Sequence, residues 1–310
     1  MIMIFWECKN GWSRFILTQA QLKESLLRMA NTTTCRQGLL AFALACACLL
    51  LCLAGCAANG QSSNGGSQAL SQSSTTSETI GIIGAMDEEV DSLKSAAGAN
   101  STTTIAGMEF FEGDLGGKRV FIVKCGMGKV NAGICAHTLI NRFGCTKVIN
   151  TGVAGSLDDR IDIGDIVVST DAVQHDFDVE AIGFAKGEIP YTGLYAFPAD
   201  DGLRAAAVSA AHEAAPSIQV FEGRVCSGDQ FITTKEQRDA ITSNFGGLCC
   251  EMEGAAIAQA CYLNDVPFVV IRAISDKPSE TEIVDYKDFE PKAARLCAEI
   301  VEHMVEQHTT

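Results

Sequence analysis

Short, β-branched apolar runs recur along the chain after residue 78, each closed by glycine or by a polar residue. They are Thr79–Ala85, Val120–Lys124, Lys147–Thr151, Asp165–Ser169 and Pro267–Ile274. Runs that are apolar at consecutive positions predict strands buried on both faces. Gly223–Asp229 reads as one more strand and its turn. Between these runs the spacing becomes helical: from Met86 onward, then Val130–Phe143, the Ala-rich Leu203–Ala214, Lys235–Thr242, Gly254–Leu263 and Pro291–Gln307. Strands alternating with helices predict an α/β domain with a largely parallel or mixed sheet. Residues 175–200 interrupt the rhythm with a polar loop punctuated by glycine and proline. Its aromatic residues (Phe177, Phe184, Tyr191, Tyr195, Phe197) suggest a functional or interface loop.

The first 78 residues follow a different pattern. Arg36 precedes the uncharged run Leu39–Ala54, about the length of a signal-peptide core and short for a membrane span. The run ends in Leu53-Ala54-Gly55-Cys56, which resembles the bacterial lipoprotein box, where small residues precede a cysteine that becomes lipidated. A Gln/Ser/Asn/Gly-rich stretch then runs from Ala57 to Thr79, as a tether between an anchored cysteine and a folded domain would. Residues 1–28 fit no part of such a signal, so Met29 is the expected start; an N-terminal peptide from residues 1–28 in the expressed protein would refute this. The expected organisation is an extension over 1–28, a signal peptide over 29–56, a tether over 57–78 and a domain over 79–310. Processed this way, the protein sits at the extracytoplasmic face of a membrane through a lipid on Cys56. Unprocessed, it stays in the cytoplasm.

Composition adds exclusions. A formal charge of -15 argues against nucleic acid as a partner, because phosphate binding needs clustered Lys and Arg. Of the 14 cysteines, Cys35, Cys46, Cys48, Cys52 and Cys56 lie in or beside the signal. The others sit mostly in apolar elements, with no CxxC pair and no Cys/His ligand spacing. The expectation is small buried hydrophobes, and neither a metal nor a cofactor.

Carboxylates supply the candidate chemistry. Asp276 ends the strand-like run, in Arg272-Ala273-Ile274-Ser275-Asp276. In open α/β sheets, ligands bind in the crevice at that edge. Glu251-Met252-Glu253 lies just before the helix that leads back into this strand, and Asp87, Glu88 and Glu89 crowd the first turn after the first strand. Carboxylates converging on one cleft suit acid/base work on a glycosidic bond, while helix capping explains each of them taken singly. Gly126-x-Gly128 and Gly152-x-x-Gly155 read either as tight strand-to-helix turns or as backbone that can approach a ligand. Neither matches a dinucleotide or Walker fingerprint.

In this order the motifs resemble the 5′-methylthioadenosine/S-adenosylhomocysteine nucleosidases, within the larger purine-nucleoside phosphorylase family. The matching stretches are Gly81–Val90, Gly126–Val130, Asn150–Gly155, Gly164–Val168, His175-Asp176, Ser227–Ile232, Glu251–Gly254 and Pro267–Asp276. The resemblance implies a three-layer α/β/α fold with a central mixed sheet. It also implies hydrolysis of the bond between adenine and ribose, through a transition state like an oxocarbenium ion. By that likeness Asp276 gives a proton to the departing adenine, Glu89 activates water and Glu253 holds the ribose hydroxyls. Phe231 would stack on the base, the backbone of Ile232 would bond its edge, and Met252 would pack on the ribose. Ser275 would orient Asp276 beside Arg272, and Phe289 would close over the base. Glu251, Met127, Ala85, Ala154 and Gly155 would complete the pocket.

The resemblance also implies a homodimer, in which Ile182, Phe184 and Pro190 serve the partner subunit's thioalkyl pocket. Val153 departs from the serine common in that family. A phosphorylase shares the fold but needs cations to hold phosphate, and Asp87, Glu88 and Glu89 without an arginine favour the hydrolase. A nucleosidase for adenosine or aminodeoxyfutalosine, or a nucleoside-binding lipoprotein without turnover, are the competing readings.

Overall fold

The computed structural model describes residues 2–8, 11–17, 78–98, 101–277 and 282–309. Two compact units divide the chain, Met1–Ser73 and Ser74–Thr310. In the first unit, β1 (Ile2–Cys8) and β2 (Gly11–Leu17) form an antiparallel hairpin. The signal run, Cys56 and the tether lie outside the described residues. Among the described residues, no helix is long and apolar enough to cross a membrane.

The second unit starts with β3 (Thr79–Gly84), a 3-10 turn at Asp87–Glu89 and α1 (Asp91–Ala96). Next come β4 (Ser101–Ile105), β5 (Met108–Leu115), β6 (Lys118–Lys124), α2 (Lys129–Phe143), β7 (Lys147–Ser156) and β8 (Ile166–Gln174). The short β9 (Phe197–Pro198) precedes α3 (Asp201–Ala214), β10 (Val220–Ser227), α4 (Lys235–Phe245) and β11 (Cys249–Glu251). The chain closes with α5 (Gly254–Tyr262), β12 (Phe268–Asp276), α6 (Glu282–His303) and a π-helical turn, Met304–His308.

One mixed sheet runs β11-β10-β8-β12-β7-β3-β6-β5-β4, and β11 pairs back onto β7. The segment from β7 through β12, β8 and β10 to β11 therefore closes on itself, while β3 to β4 continues as an open sheet. Strand periodicity places two apolar layers on opposite faces. Ile83, Val148 and Val270 pack with Ala132, Ala136 and Leu139 of α2 and Ala258 of α5. Ile82, Ile149 and Ile271 pack with Leu203 and Ala207 of α3 and Cys297 and Val301 of α6. Burial of each such Ile, Leu or Val is worth about 1.5–3 kcal/mol, so each helix layer is anchored by many such contributions. The result is the expected α/β/α sandwich.

Several expectations shift. β7 does not stop at Thr151 but runs through the glycines to Ser156. β8 likewise extends to Gln174. The last helix begins well before Pro291, which sits inside it, and ends at His303. β4, β5 and β11 had no counterpart in the sequence reading. The cysteines do behave as buried small residues: Cys125, Cys135, Cys145, Cys226, Cys249, Cys250, Cys261 and Cys297 are all buried.

Candidate active site

Strand ends and turns from both ends of the domain meet at one cavity. Ala85, Glu89, Met127, Ala154, Gly155, Phe231, Ile232, Glu251, Met252, Glu253, Ser275 and Asp276 line it. Met86, Val153, Gln230 and Cys250 line it as well.

The first carboxylate comes from the turn after β3. Glu89 is buried, and its side chain folds back over that turn. Oε2 accepts from the backbone N–H of Ala85 at 2.5 Å and of Met86 at 3.1 Å, while Oε1 accepts from Val153 N–H at 3.1 Å. Glu89 therefore caps its own turn and faces the cavity at once. Burial raises its pKa, opposed by the charge of Arg272 and by these three backbone donors. Its neighbours behave otherwise: Asp87 bonds Lys124 Nζ at 2.7 Å in solvent, and Glu88 is exposed. Gly152 explains why β7 needs a glycine there. A Cβ at that position would lie 2.5 Å from Glu89 Oε1.

Asp276 ends β12. The register against β7 slips between Ile274 and Asp276, so Asp276 pairs with Gly155 and Ser275 is left as a bulge. Bulges of this kind re-aim a side chain. Ser275 Oγ donates to Asp276 Oδ1 at 2.7 Å. A Cβ on Gly155 would stand 2.9 Å from Asp276 Oδ2. The glycines that looked like a turn thus lie within a strand and clear space for the two carboxylates.

The third pair flanks Met252. Glu251 is fully engaged: it accepts from Ser227 Oγ, from Arg272 Nη2, and from the backbone N–H groups of Glu253 at 3.1 Å and Gly254 at 2.8 Å. Arg272 lies in the core beneath the cavity and does not line it. Its Nη2 also donates to Asn150 Oδ1 at 2.6 Å, and Asn150 is anchored on Ile83 O at 2.9 Å. Burial opposes the guanidinium charge, but Glu251, Glu89 and Glu253 outweigh it and hold its pKa above the ordinary value. Glu253 has a lighter hold. Its Oε1 accepts from Gly128 N–H at 2.8 Å, and its Oε2 stands 4.0 Å from Arg272. Burial, and then the charge of Glu251, push its pKa up to about 8.

The rim is organised by Asp176 and Asp229. Asp176 pairs with Lys129 Nζ and accepts from Asp229 N–H at 2.8 Å, while Asp229 Oδ1 accepts from Lys129 N–H at 2.8 Å. This ties the start of α2 to the segment that carries Gln230, Phe231 and Ile232. Ile232 is buried, whereas Phe231 is half-exposed at the mouth. His175 is buried beside Gly228, and burial lowers its pKa.

A family model described as the phosphorylase superfamily matches residues 79–306. The chain is 42% identical over 227 residues to the 5′-methylthioadenosine/S-adenosylhomocysteine nucleosidase of Psychromonas ingrahamii, covering 73% of this chain and 97% of that one. The chain belongs to the phosphorylase superfamily, among these nucleosidases. A Colwellia psychrerythraea nucleosidase solved in complex with adenine superposes with a TM-score of 0.71 at 39% identity, covering 75% of this chain and 96% of that one. The Helicobacter pylori futalosine hydrolase superposes equally, with a TM-score of 0.71 at 33% identity over 74% and 98% of the two chains.

Within this nucleosidase framework, some expected residues stand apart from the cavity. Phe289 is on α6, 38% exposed, with Lys292 Nζ 5.5 Å from its ring, and does not line the cavity. Ile182, Phe184 and Pro190, expected to serve a partner subunit's pocket, lie in the loop before β9. Ile182 is 71% exposed, and Phe184 meets Tyr191 edge-on at 6.4 Å. Of the residues the sequence reading missed, Met86 and Gln230 are direct neighbours of predicted ones. Cys250 carried no signal beyond that of a buried thiol.

Proposed function

We propose that this nucleosidase hydrolyses the N-glycosidic bond of 5′-methylthioadenosine and S-adenosylhomocysteine, releasing adenine and the thioribose. The observation that carries the reading is the charge of the cavity. Glu89, Glu251, Glu253 and Asp276 line it, and among the described residues no Lys or Arg side chain does. A phosphorylase must hold an anionic nucleophile, and this lining offers it no cation. Water needs only a base. The resemblance to nucleosidases and the adenine bound in the Colwellia relative support the same substrate class.

In this mechanism the C1′–N9 bond breaks as its electron pair moves into the adenine ring. Asp276 gives the base a proton at N7, and Ser275 holds the carboxyl in place. Glu89 takes a proton from the water that attacks C1′, forming the C1′–O bond. Burial raises the pKa of Glu89 and so strengthens it as a base for this step. Glu253 receives the ribose hydroxyls. Phe231 and Ile232 receive the adenine, Met252 packs on the ribose, and Met127, Ala85, Ala154 and Gly155 shape the wall. Glu251 and Arg272 act from behind by fixing the backbone that presents Glu253.

A second copy of the chain completes the site in this reading. Ile182, in the loop before β9, is exposed, as a side chain offered to a partner would be. Cys56 carries the lipid that places the enzyme outside the cytoplasmic membrane, where it acts on external nucleosides. The test is adenine release from methylthioadenosine with and without phosphate. Equal rates, with free methylthioribose as the sugar product, are expected. Strict dependence on phosphate overturns the hydrolase reading. Aminodeoxyfutalosine belongs in the same assay, given the likeness to the futalosine hydrolase.

A further inference from the structure

The C-terminal turn gathers three ligand-type side chains that take no part in the cavity. α6 ends at His303, and the next five residues form a π-helical turn that ends at His308. In an uninterrupted α-helix, residues five apart point about 140° away from each other. The wider turn closes that angle, and such turns often mark functional positions. Both imidazoles converge on one carboxylate oxygen of Glu213, near the end of α3: His303 Nε2 lies 2.9 Å from Oε2 and His308 Nε2 lies 3.2 Å from it. The three ligand atoms all lie within 4.8 Å of one another.

This turn is held firmly. Met304 and Val305 are buried, and Lys118 Nζ donates to Val305 O at 2.6 Å and to Glu306 O at 3.3 Å. Thr309 closes the end by bonding Met304 O through its N–H at 3.1 Å and its hydroxyl at 2.9 Å. The two histidines are therefore preorganised on a pinned turn, and Glu213 reaches them from a separate helix.

We propose that Glu213, His303 and His308 form a site for a divalent transition-metal ion of the zinc type, which staples α3 to the C-terminal turn. Two imidazole nitrogens and one carboxylate oxygen are a donor set that Zn2+ accepts, with water in the remaining position. The sequence reading expected no metal because it weighed local cysteine and histidine spacings. Here the carboxylate stands 90 residues from His303 along the chain. The role is structural, because none of the three side chains lines the catalytic cavity.

The test uses the full chain, stripped of metal and titrated with Zn2+ alone, followed by calorimetry and thermal unfolding. The expected result is one ion per chain and a midpoint raised by about 5–10 °C at a hundredfold excess over the dissociation constant. His303→Gln with His308→Gln should abolish both effects. Glu213→Gln, at a half-exposed position, should weaken binding roughly tenfold or more and serves as the second variant should the double one fold poorly. Adenine release without zinc should be unchanged in every variant. Absence of Zn2+ binding by the wild-type chain, or equal affinity and equal midpoint shift in the variants, overturns the proposal.

Discussion

Two strand–helix junctions bring runs of acids to the same cavity and dispose of them in opposite ways. After β3, the run Asp87-Glu88-Glu89 sends two acids to solvent and turns one inward, where three backbone N–H groups hold Glu89. After β11, the run Glu251-Met252-Glu253 buries both acids. There a guanidinium, a hydroxyl and two backbone donors saturate Glu251, while a single backbone donor meets Glu253. An acid's job thus follows from the number and charge of its partners, more than from its depth. A saturated carboxylate is structure. A buried carboxylate with few or uncharged partners keeps lone pairs for chemistry, and its pKa rises.

The contrast can be broken by substitution. Glu89→Gln should lower the rate of adenine release about 10²–10⁴-fold, the worth of a general base, with a much smaller change in thermal midpoint. Activity within a few-fold of wild type would remove Glu89 as the base. Glu251→Gln should show the reverse emphasis. It leaves the buried Arg272 charge poorly paired, a loss of about 3–5 kcal/mol that thermal or denaturant unfolding would register. If it unfolds like wild type and only slows turnover, the two junctions are not divided as described.

Glu253 sharpens the comparison through pH. Its folded pKa, near 8, lies above the ordinary 4.5. Between those values the folded protein keeps a proton that the unfolded chain has lost. The stability this contributes is fully present below the ordinary value and is lost as pH rises through about 8. The thermal midpoint should therefore fall as pH rises from the ordinary 4.5 to about 8, and Glu253→Gln should flatten that slope. An equally steep slope in the variant would show that Glu253 titrates normally.

Much of this arrangement was legible in the chain. Runs such as Ile80–Ile83 and Val269–Ile271 announce strands buried on both faces, and ordered motifs placed Glu89, Glu253 and Asp276 around one site. The misses have physical causes. β4 is the polar run STTTI, exposed along most of its length, so no apolar pattern marks it. β11 has three residues, too few to show a period. Gly152 and Gly155 read as a turn because glycine favours turns. In the fold they are strand residues, made small by the carboxylates opposite. Pro291 read as the start of a helix, yet it lies within one that begins at Glu282. The pairing of Glu213 with His303 and His308 depends on contacts distant in sequence and on a π turn, neither of which local spacing reveals.

The central claim is that Asp276 protonates the departing base. It is tested most directly by comparing two substrates in Asp276→Asn: methylthioadenosine, and a 5-methylthioriboside of p-nitrophenol, whose leaving group departs without protonation. The account predicts a loss of about 10³-fold on methylthioadenosine and near-normal release of p-nitrophenol. An equal loss on both substrates would mean that Asp276 acts on the sugar or on the fold, and would contradict its assignment as the acid.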